Sequence, residues 1–267
     1  MPERSRAEEK HTRRSLRSAW VERMDAAAVR VHDAVCGTHP NLRGWHFQWL
    51  AVRYLYRDLR RVLAALRGRV LDVGCGGKPY AAWLRQAEKD RLVGIDVVPG
   101  PGVDVVVGEG GGWPFPDGSF DAVLCTQVLE HVADLDGTLE EIHRVLAPSG
   151  VLVVTVPFLY HEHGAPRDFR RFSRHEVVRL FSGRYEIVEV NAEGGFGSTS
   201  CMLLLSWLRA AWDRRSPARL VKLPLLPAWL AFTLVVNGLG LLLNGVDGTG
   251  AYYGNVLVVA RRRPAAA

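Results

Sequence analysis

The stretch Val70-Leu-Asp-Val-Gly-Cys-Gly-Gly-Lys-Pro79 decides the fold. From Arg69 to Gly74 it is mostly apolar and β-branched, which reads as a buried strand. Gly74 and Gly76 follow at once, in the place where side chains would collide with a ligand drawn against the backbone. A GxG after a strand does not name that ligand. A nicotinamide fingerprint needs a third small residue three positions after the second glycine, and Pro79 stands there. A phosphate loop needs Ser or Thr after Gly-Lys, and Lys78 is again followed by Pro79. What remains is Asp72, an acid two residues before the first glycine. It would repel a pyrophosphate and suit a ligand carrying an ammonium group.

Further strands are expected at Arg91–Asp96, Val103–Val107, Phe120–Thr126, Gly150–Val156, Tyr185–Val190 and Asn255–Ala260. Helices are expected at Pro79–Gln86, Leu135–Leu146 and Arg174–Phe181. Short, almost wholly apolar strands alternating with helices indicate a parallel sheet covered on both faces. Upstream, Trp49, Leu50, Val52, Tyr56, Leu59, Leu63 and Leu66 recur at helical spacing within a helix from Trp45 to Leu66. A weaker helical pattern runs from Ser18 to Val35, and residues 1–15 read as disordered. Two helical runs, Ser200–Trp212 and Leu223–Gly245, precede the last strand. The second has no charged residue and is long enough to cross a membrane, but Pro224, Pro227, Asn237, Gly238 and Gly240 interrupt it. A helical cap or homodimer contact, a patch dipping into a membrane surface beside a lipid-linked acceptor, and a true span all stay open. The expected division is a basic N-terminal helical flank or lid over 1–67 and a main domain over 68–267, with a helical insertion at about 197–250.

The 267 residues are 48% hydrophobic and 23% charged, which excludes a disordered or low-complexity chain. Four cysteines without a CxxC pair argue against a disulfide scaffold or zinc ribbon and for a reducing compartment. The net charge of +6 is concentrated in residues 1–69, which hold 15 basic against 7 acidic residues. With Lys10, Lys78, Lys89 and Lys222 the only lysines, this reads as a solvated, arginine-biased helix face more than as a nucleic-acid surface. The first 19 residues lack the apolar core of a signal peptide, so a cytoplasmic location is expected, with membrane association open.

Val-Leu-Asp-Val-Gly-Cys-Gly resembles the first motif of the class I S-adenosylmethionine-dependent methyltransferases (type 11-like). Val93-Gly-Ile-Asp96, Trp113-Pro-Phe-Pro-Asp-Gly-Ser-Phe-Asp121, Cys125-Thr-Gln-Val-Leu-Glu-His131 and Arg144-Val-Leu-Ala-Pro-Ser-Gly150 are similar to the family's later motifs, in the same order. The resemblance covers residues 69–191 and the closing strand. It implies a Rossmann-like α/β fold: a seven-stranded, mostly parallel sheet in the order 3-2-1-4-5-7-6 with the last strand antiparallel, helices on both faces, N-terminal helices, and the apolar helical insertion before the last strand.

It also implies S-adenosylmethionine as cofactor. Asp72, Gly74 and Gly76 would surround its methionine part, Asp96 its ribose, and Thr126 and Gln127 its reactive end. Glu109, with Gly110 beside it, would meet the adenine. The acceptor segment would be Pro157–Arg174, rich in histidine, arginine and aromatic residues. His163, Asp168 and His131 are the candidates for proton transfer or acceptor contact, Asp168 alternatively bracing the loop against Arg170 or Arg171. His161 and His163 form an HxH pair with no third ligand near in sequence, so no metal is expected. The implied activity is methyl transfer to oxygen or nitrogen of a small-molecule, glycan or lipid-linked acceptor. The alternatives are a non-catalytic cofactor-binding regulator or scaffold, an RNA methyltransferase, and a nicotinamide oxidoreductase that Pro79 argues against.

Overall fold

The structure, a computed structural model, describes residues 26–109, 112–213 and 222–264. Residues 1–15, the first part of the Ser18–Val35 helix and Gly110 lie outside them. The described residues fall into two compact units, residues 26–49 with Cys201–Leu239, and Leu50–Ser200 with 240–264.

The larger unit carries seven strands: β1 (Val70–Val73), β2 (Leu92–Asp96), β3 (Val105–Val106), β4 (Phe120–Thr126), β5 (Leu146–Pro157), β6 (Tyr185–Glu193) and β7 (Asn255–Arg262). They form one sheet in the order β3-β2-β1-β4-β5-β7-β6, as expected. The strands from β3 to β5 pair in parallel, and β7 runs antiparallel to both β5 and β6. The register sets Val73 level with Ile95 and Cys125, so Gly74, Asp96 and Thr126 emerge together at one edge of the sheet. That carboxyl edge, where the strand order reverses beside β1, is where open α/β sheets bind ligands.

Alternate strand residues face two cores. Leu71, Val73, Val123 and Val154 pack beneath α4 (Leu135–Val145) and α5 (Arg174–Ser182), which contribute Ile142, Val145, Val177 and Phe181. On the opposite face Val70, Leu124, Val153 and Leu257 meet α2 (Trp49–Ala65) through Leu55, Leu59, Val62 and Leu63. Asp134 caps α4 by accepting from Gly137 N at 3.0 Å, and Ser173 caps α5 by accepting from Glu176 N at 3.2 Å.

One expected element is corrected. Instead of a helix over Pro79–Gln86, the chain makes a 3-10 turn at Ala81–Trp83 and a four-residue helix, α3 (Gln86–Lys89). The segment is too short to offset helix nucleation. Tyr80 and Trp83 instead turn together against Tyr56 of α2, with ring centroids 5.1–5.9 Å apart.

The smaller unit contains α1 (26–36) and the adjoining parts of α6 (Phe196–Asp213) and α7 (Lys222–Val246), both of which run on into the larger unit. Within it Phe47, Cys201, Leu205 and Val236 form a core, and His32, His39 and His46 lie edge to face. In the larger unit the start of α6 is tied to the end of α7. Phe196 N donates to Asp247 Oδ2 at 2.8 Å and Ser198 N to Asn244 Oδ1 at 2.9 Å, supplying partners that helix-start amides lack. Gly197 permits the approach, since a Cβ there would stand 2.1 Å from Gly240 O. Both ends of the insertion return to one place, where Gly254 N donates to Glu193 O at 3.0 Å. Pro224–Val246 is long and apolar enough to cross a membrane, and 22% of its most apolar window is buried. Trp207, Leu234, Val235, Leu239 and Leu242 are exposed.

Candidate active site

A cavity of about 260 Å³ opens at the carboxyl edge of β1, β2 and β4. Of the residues singled out in the sequence, Gly74, Asp96, Glu109, Gln127 and His131 line it. Ile95, Val97, Val107, Trp113 and Val128 add apolar walls, and Arg167 reaches it from the segment after β5.

The glycines shape its floor. Gly74 has φ +64°, and a Cβ there would stand 2.4 Å from Val128 Cγ2, so only glycine closes this turn. Gly76 has φ +47° and, like Gly77, faces open space where its Cβ would be. The loop is held from behind: Gly76 N donates to Asp96 Oδ2 at 3.0 Å, Val98 N to Asp96 Oδ1 at 3.1 Å, and Lys78 pairs with Asp104 at 2.5 Å. Asp96 therefore ties the β1 turn to the β2 turn while each oxygen keeps lone-pair capacity toward the cavity. Gln127 follows β4 at φ +54°, a region uncommon for a residue with a Cβ. It is fixed by its backbone N–H to Thr155 O at 2.8 Å and its Nε2 to Thr155 Oγ1 at 3.2 Å.

Asp72, Gly76, Thr126, His163 and Asp168 are not among the lining residues. Asp72 is buried, and desolvation, against the pull of Lys78, raises its carboxyl to about 7. Thr126 is buried in the sheet. The Asp168 side chain is 2% exposed, and its oxygens are occupied: Arg171 donates to both at 2.6 and 2.7 Å, and His163 N donates to Oδ2 at 2.8 Å. The Arg171 guanidinium holds this carboxyl well below the usual range. Asp168 thus braces the loop against Arg171, one of the two partners considered for it. Arg170 donates to the carbonyls of Val132 and Ala133.

Those ties draw the acceptor segment over the 3-10 turn Leu129–His131 after β4. Phe169 N donates to Glu130 O at 2.8 Å, and His131 Nδ1 donates to Arg167 O at 2.5 Å. His163 lies edge to face on His131, centroids 4.8 Å apart, and burial lowers its pKa, so it is neutral near pH 7. Arg167 crosses to Glu109, 2.5 Å away. Both side chains are exposed, so the pair contributes little stability. Glu130 lies in the quoted Cys125–His131 motif and Arg167 in the acceptor segment, but neither was singled out as a site residue. Only the fold of the loop brings them to the site. Trp113 stood inside a quoted motif, and its exposure of 6% beside the cavity gives it a wall position.

A doubly wound sheet with this strand order, an antiparallel β7 and a glycine-floored crevice lined by the acid that ends β2 is the fold of class I S-adenosylmethionine-dependent methyltransferases. Residues 71–154 match the family model described as "Methyltransferase domain". The chain is 34% identical over 118 residues to a ubiquinone biosynthesis O-methyltransferase of Azorhizobium caulinodans, covering 39% of this chain and 46% of that protein. It is 32% identical over 117 residues to a demethylmenaquinone methyltransferase of Thermus thermophilus, covering 39% and 53%. The chain thus spans about half the length of these curated relatives. Among solved structures, a [4+2]-cyclase, SpnF, aligns with a TM-score of 0.50 at 23% identity, covering 78% of this chain and 81% of that one. That likeness is one of fold.

The cofactor of this class of domain is S-adenosylmethionine, and the residues present fit it. Space beyond Gly76 and Gly77 admits close backbone approach, Asp96 offers carboxylate oxygens at the rim, and Ile95, Val97 and Trp113 form an apolar slot.

Proposed function

We propose that the protein transfers a methyl group from S-adenosylmethionine to an oxygen or nitrogen of a small-molecule, glycan or lipid-linked acceptor. The observation that carries this reading is the glycine-floored crevice with Asp96 at its rim, in a chain whose residues 71–154 are a methyltransferase domain. When bound, the cofactor supplies an electrophilic methyl group on a positively charged sulfur.

The chain's own residues do the rest. Gly74, Gly76 and Gly77 let the main chain meet the methionine part, with the Asp72 carboxyl behind them. Asp96 accepts the ribose hydroxyls with its remaining lone pairs. Ile95, Val97 and Trp113 flank the adenine, and Glu109, once released by Arg167, accepts from its exocyclic amine. Thr126 and Gln127 frame the reactive end. At the acceptor side, His131 has its Nδ1–H committed to a carbonyl, which leaves the Nε2 lone pair free. Neutral His163 is the second group that takes a proton from an acceptor hydroxyl or ammonium, and Asp168 positions it. Orientation contributes most: holding acceptor and methyl in line is worth up to about 7–11 kcal/mol.

The names of the two relatives point to quinone-type aromatic acceptors. The exposed apolar residues of α6 and α7 suit such a substrate, through contact of a cytoplasmic protein with a membrane surface or through a homodimer formed by the same helices. A cofactor-binding module without methyl transfer is the second reading, since a cyclase shares this fold and fold alone does not fix chemistry.

The test is calorimetry with S-adenosylhomocysteine and NAD, followed by turnover on an acceptor panel. We expect binding of the thioether only, weakened about 10–100-fold in Asp96→Ala by loss of charge-assisted hydrogen bonds. His163→Ala should bind it normally and turn over slowly. NAD binding, or unchanged affinity in Asp96→Ala, would remove the assignment.

A further inference from the structure

We infer that Glu130, His131 and His163 form a binding site for a divalent transition-metal ion of the zinc class, placed beside the acceptor end of the crevice. One ligand atom from each of the three lies within 4.8 Å of those of the other two. Glu130 Oε1 is 3.8 Å from His131 Nε2.

The buried acid asks for a partner. Glu130 is 0% exposed, and neither carboxylate oxygen has a hydrogen bond among the described residues. An isolated buried carboxylate is costly, so such a group either holds a proton or meets a cation.

The imidazoles are prepared for the same ion. His131 Nδ1 donates to Arg167 O at 2.5 Å, and His163 Nδ1 donates to His161 O at 3.3 Å. Each contact puts the proton on Nδ1, because a carbonyl only accepts, and leaves the lone pair on Nε2. Histidines that bind metals are oriented by such a bond from the other ring nitrogen. Two neutral imidazoles and a carboxylate are the donor set of zinc, cobalt and ferrous sites, whereas magnesium and calcium prefer oxygen alone. Asp168 is not a ligand, its oxygens being held by Arg171 and His163 N. Ligands on one zinc stand roughly 3.3 Å apart, so the cluster contracts on loading.

The sequence shows only His161-x-His163. The other two ligands come from the turn after β4, held to this loop by the Phe169–Glu130 and His131–Arg167 contacts. Three protein ligands leave a coordination position open. Because His131 lines the cavity, that position faces the crevice, where an acceptor oxygen would complete it. This last clause alone rests on the methyl-transfer reading, and a bound ion would occupy the two Nε2 lone pairs that the reading gives to proton transfer in the ion-free protein.

The full chain, stripped with a chelator, is titrated with Zn²⁺ against a chromophoric competitor and with Co²⁺ by visible absorption. S-adenosylhomocysteine calorimetry on the same samples reports the cofactor crevice separately, so either reading can fail alone. We expect one ion per chain, d–d bands of a low-coordinate cobalt site, and affinity reduced at least ~10-fold in both Glu130→Gln and His163→Ala, with thioether binding unchanged. No ion retained by the wild type would overturn the proposal. So would equal affinity in both variants, which would place the ion elsewhere, for instance at the His32, His39 and His46 cluster.

Discussion

Arg144→Met should loosen the wall of the crevice without touching its floor. Arg144, near the end of α4, donates to Phe115 O at 2.7 Å, Trp113 O at 3.0 Å and Asp117 Oδ1 at 2.8 Å, and forks onto Glu141 at 2.8 Å. Glu141 in turn accepts from Trp113 N at 2.8 Å. The Asp117 carboxylate is 82% exposed and adds nothing to the total. The two carbonyl contacts are charge-assisted, about 1.5 kcal/mol each at the low end. With 30% of the arginine exposed, water recovers part of that, leaving a net loss of about 2 kcal/mol. For a chain of this size the melting temperature should fall by roughly 4–8 °C. Since Trp113 lines the cavity, affinity for S-adenosylhomocysteine should fall with it. Thermal unfolding by circular dichroism and calorimetry read the two effects. A melting point within about 1 °C of wild type together with full affinity would refute the reasoning that this guanidinium holds the 113–117 loop in place.

Three further outcomes follow from buried charge and exposed apolar surface. Burial beside Asp58 pushes the Glu193 carboxyl up, so the folded state favours its neutral form and loses stability as pH rises from about 4.3 through the raised value. Glu193→Gln should therefore melt higher than wild type at pH 8 and lose that advantage at pH 4. His46 is 5% exposed and lowered to about 3 by burial and by His32, His39 and Arg209. The folded state loses stability at ~1.4 kcal/mol per pH unit below about 6.5, a loss of about 2 kcal/mol by pH 5; in His46→Gln the acid limb of the stability curve should flatten. The exposed apolar residues of α6 and α7 should carry the protein onto anionic liposomes in a sedimentation assay, and Val235→Glu with Leu242→Glu should leave it in the supernatant.

The sheet was readable from sequence because its strands are buried on both faces and so appear as short apolar runs. Phe120–Thr126 has the expected bounds, and Asn255–Ala260 gains only two residues. β5 starts at Leu146, earlier than Gly150, because Leu146 pairs with Phe120 across an irregularity that no periodicity encodes. The helix expected after the glycine loop gave way to tertiary packing of Tyr80 and Trp83 against Tyr56. In the site, Gly74 and Asp96 were legible from strand ends and spacing. Glu130 was not, since an acid before a histidine at a turn looks like a helix start, and its burial depends on a loop folding over it 30–40 residues later. Arg167 was hidden for the same reason: its partner Glu109 belongs to a different strand connection.

β6 has no neighbour in the sheet except β7, yet β7 is also the strand that joins β6 to β5. On the ribosome, Tyr185–Glu193 must therefore wait, its ladder groups unpaired, until residue 262 has left the exit tunnel. The apolar helices α6 and α7 precede β7 in the chain and are synthesised within that interval. Nascent chains stalled before residue 255 should be avid clients of holdase chaperones, and those released after residue 262 should not.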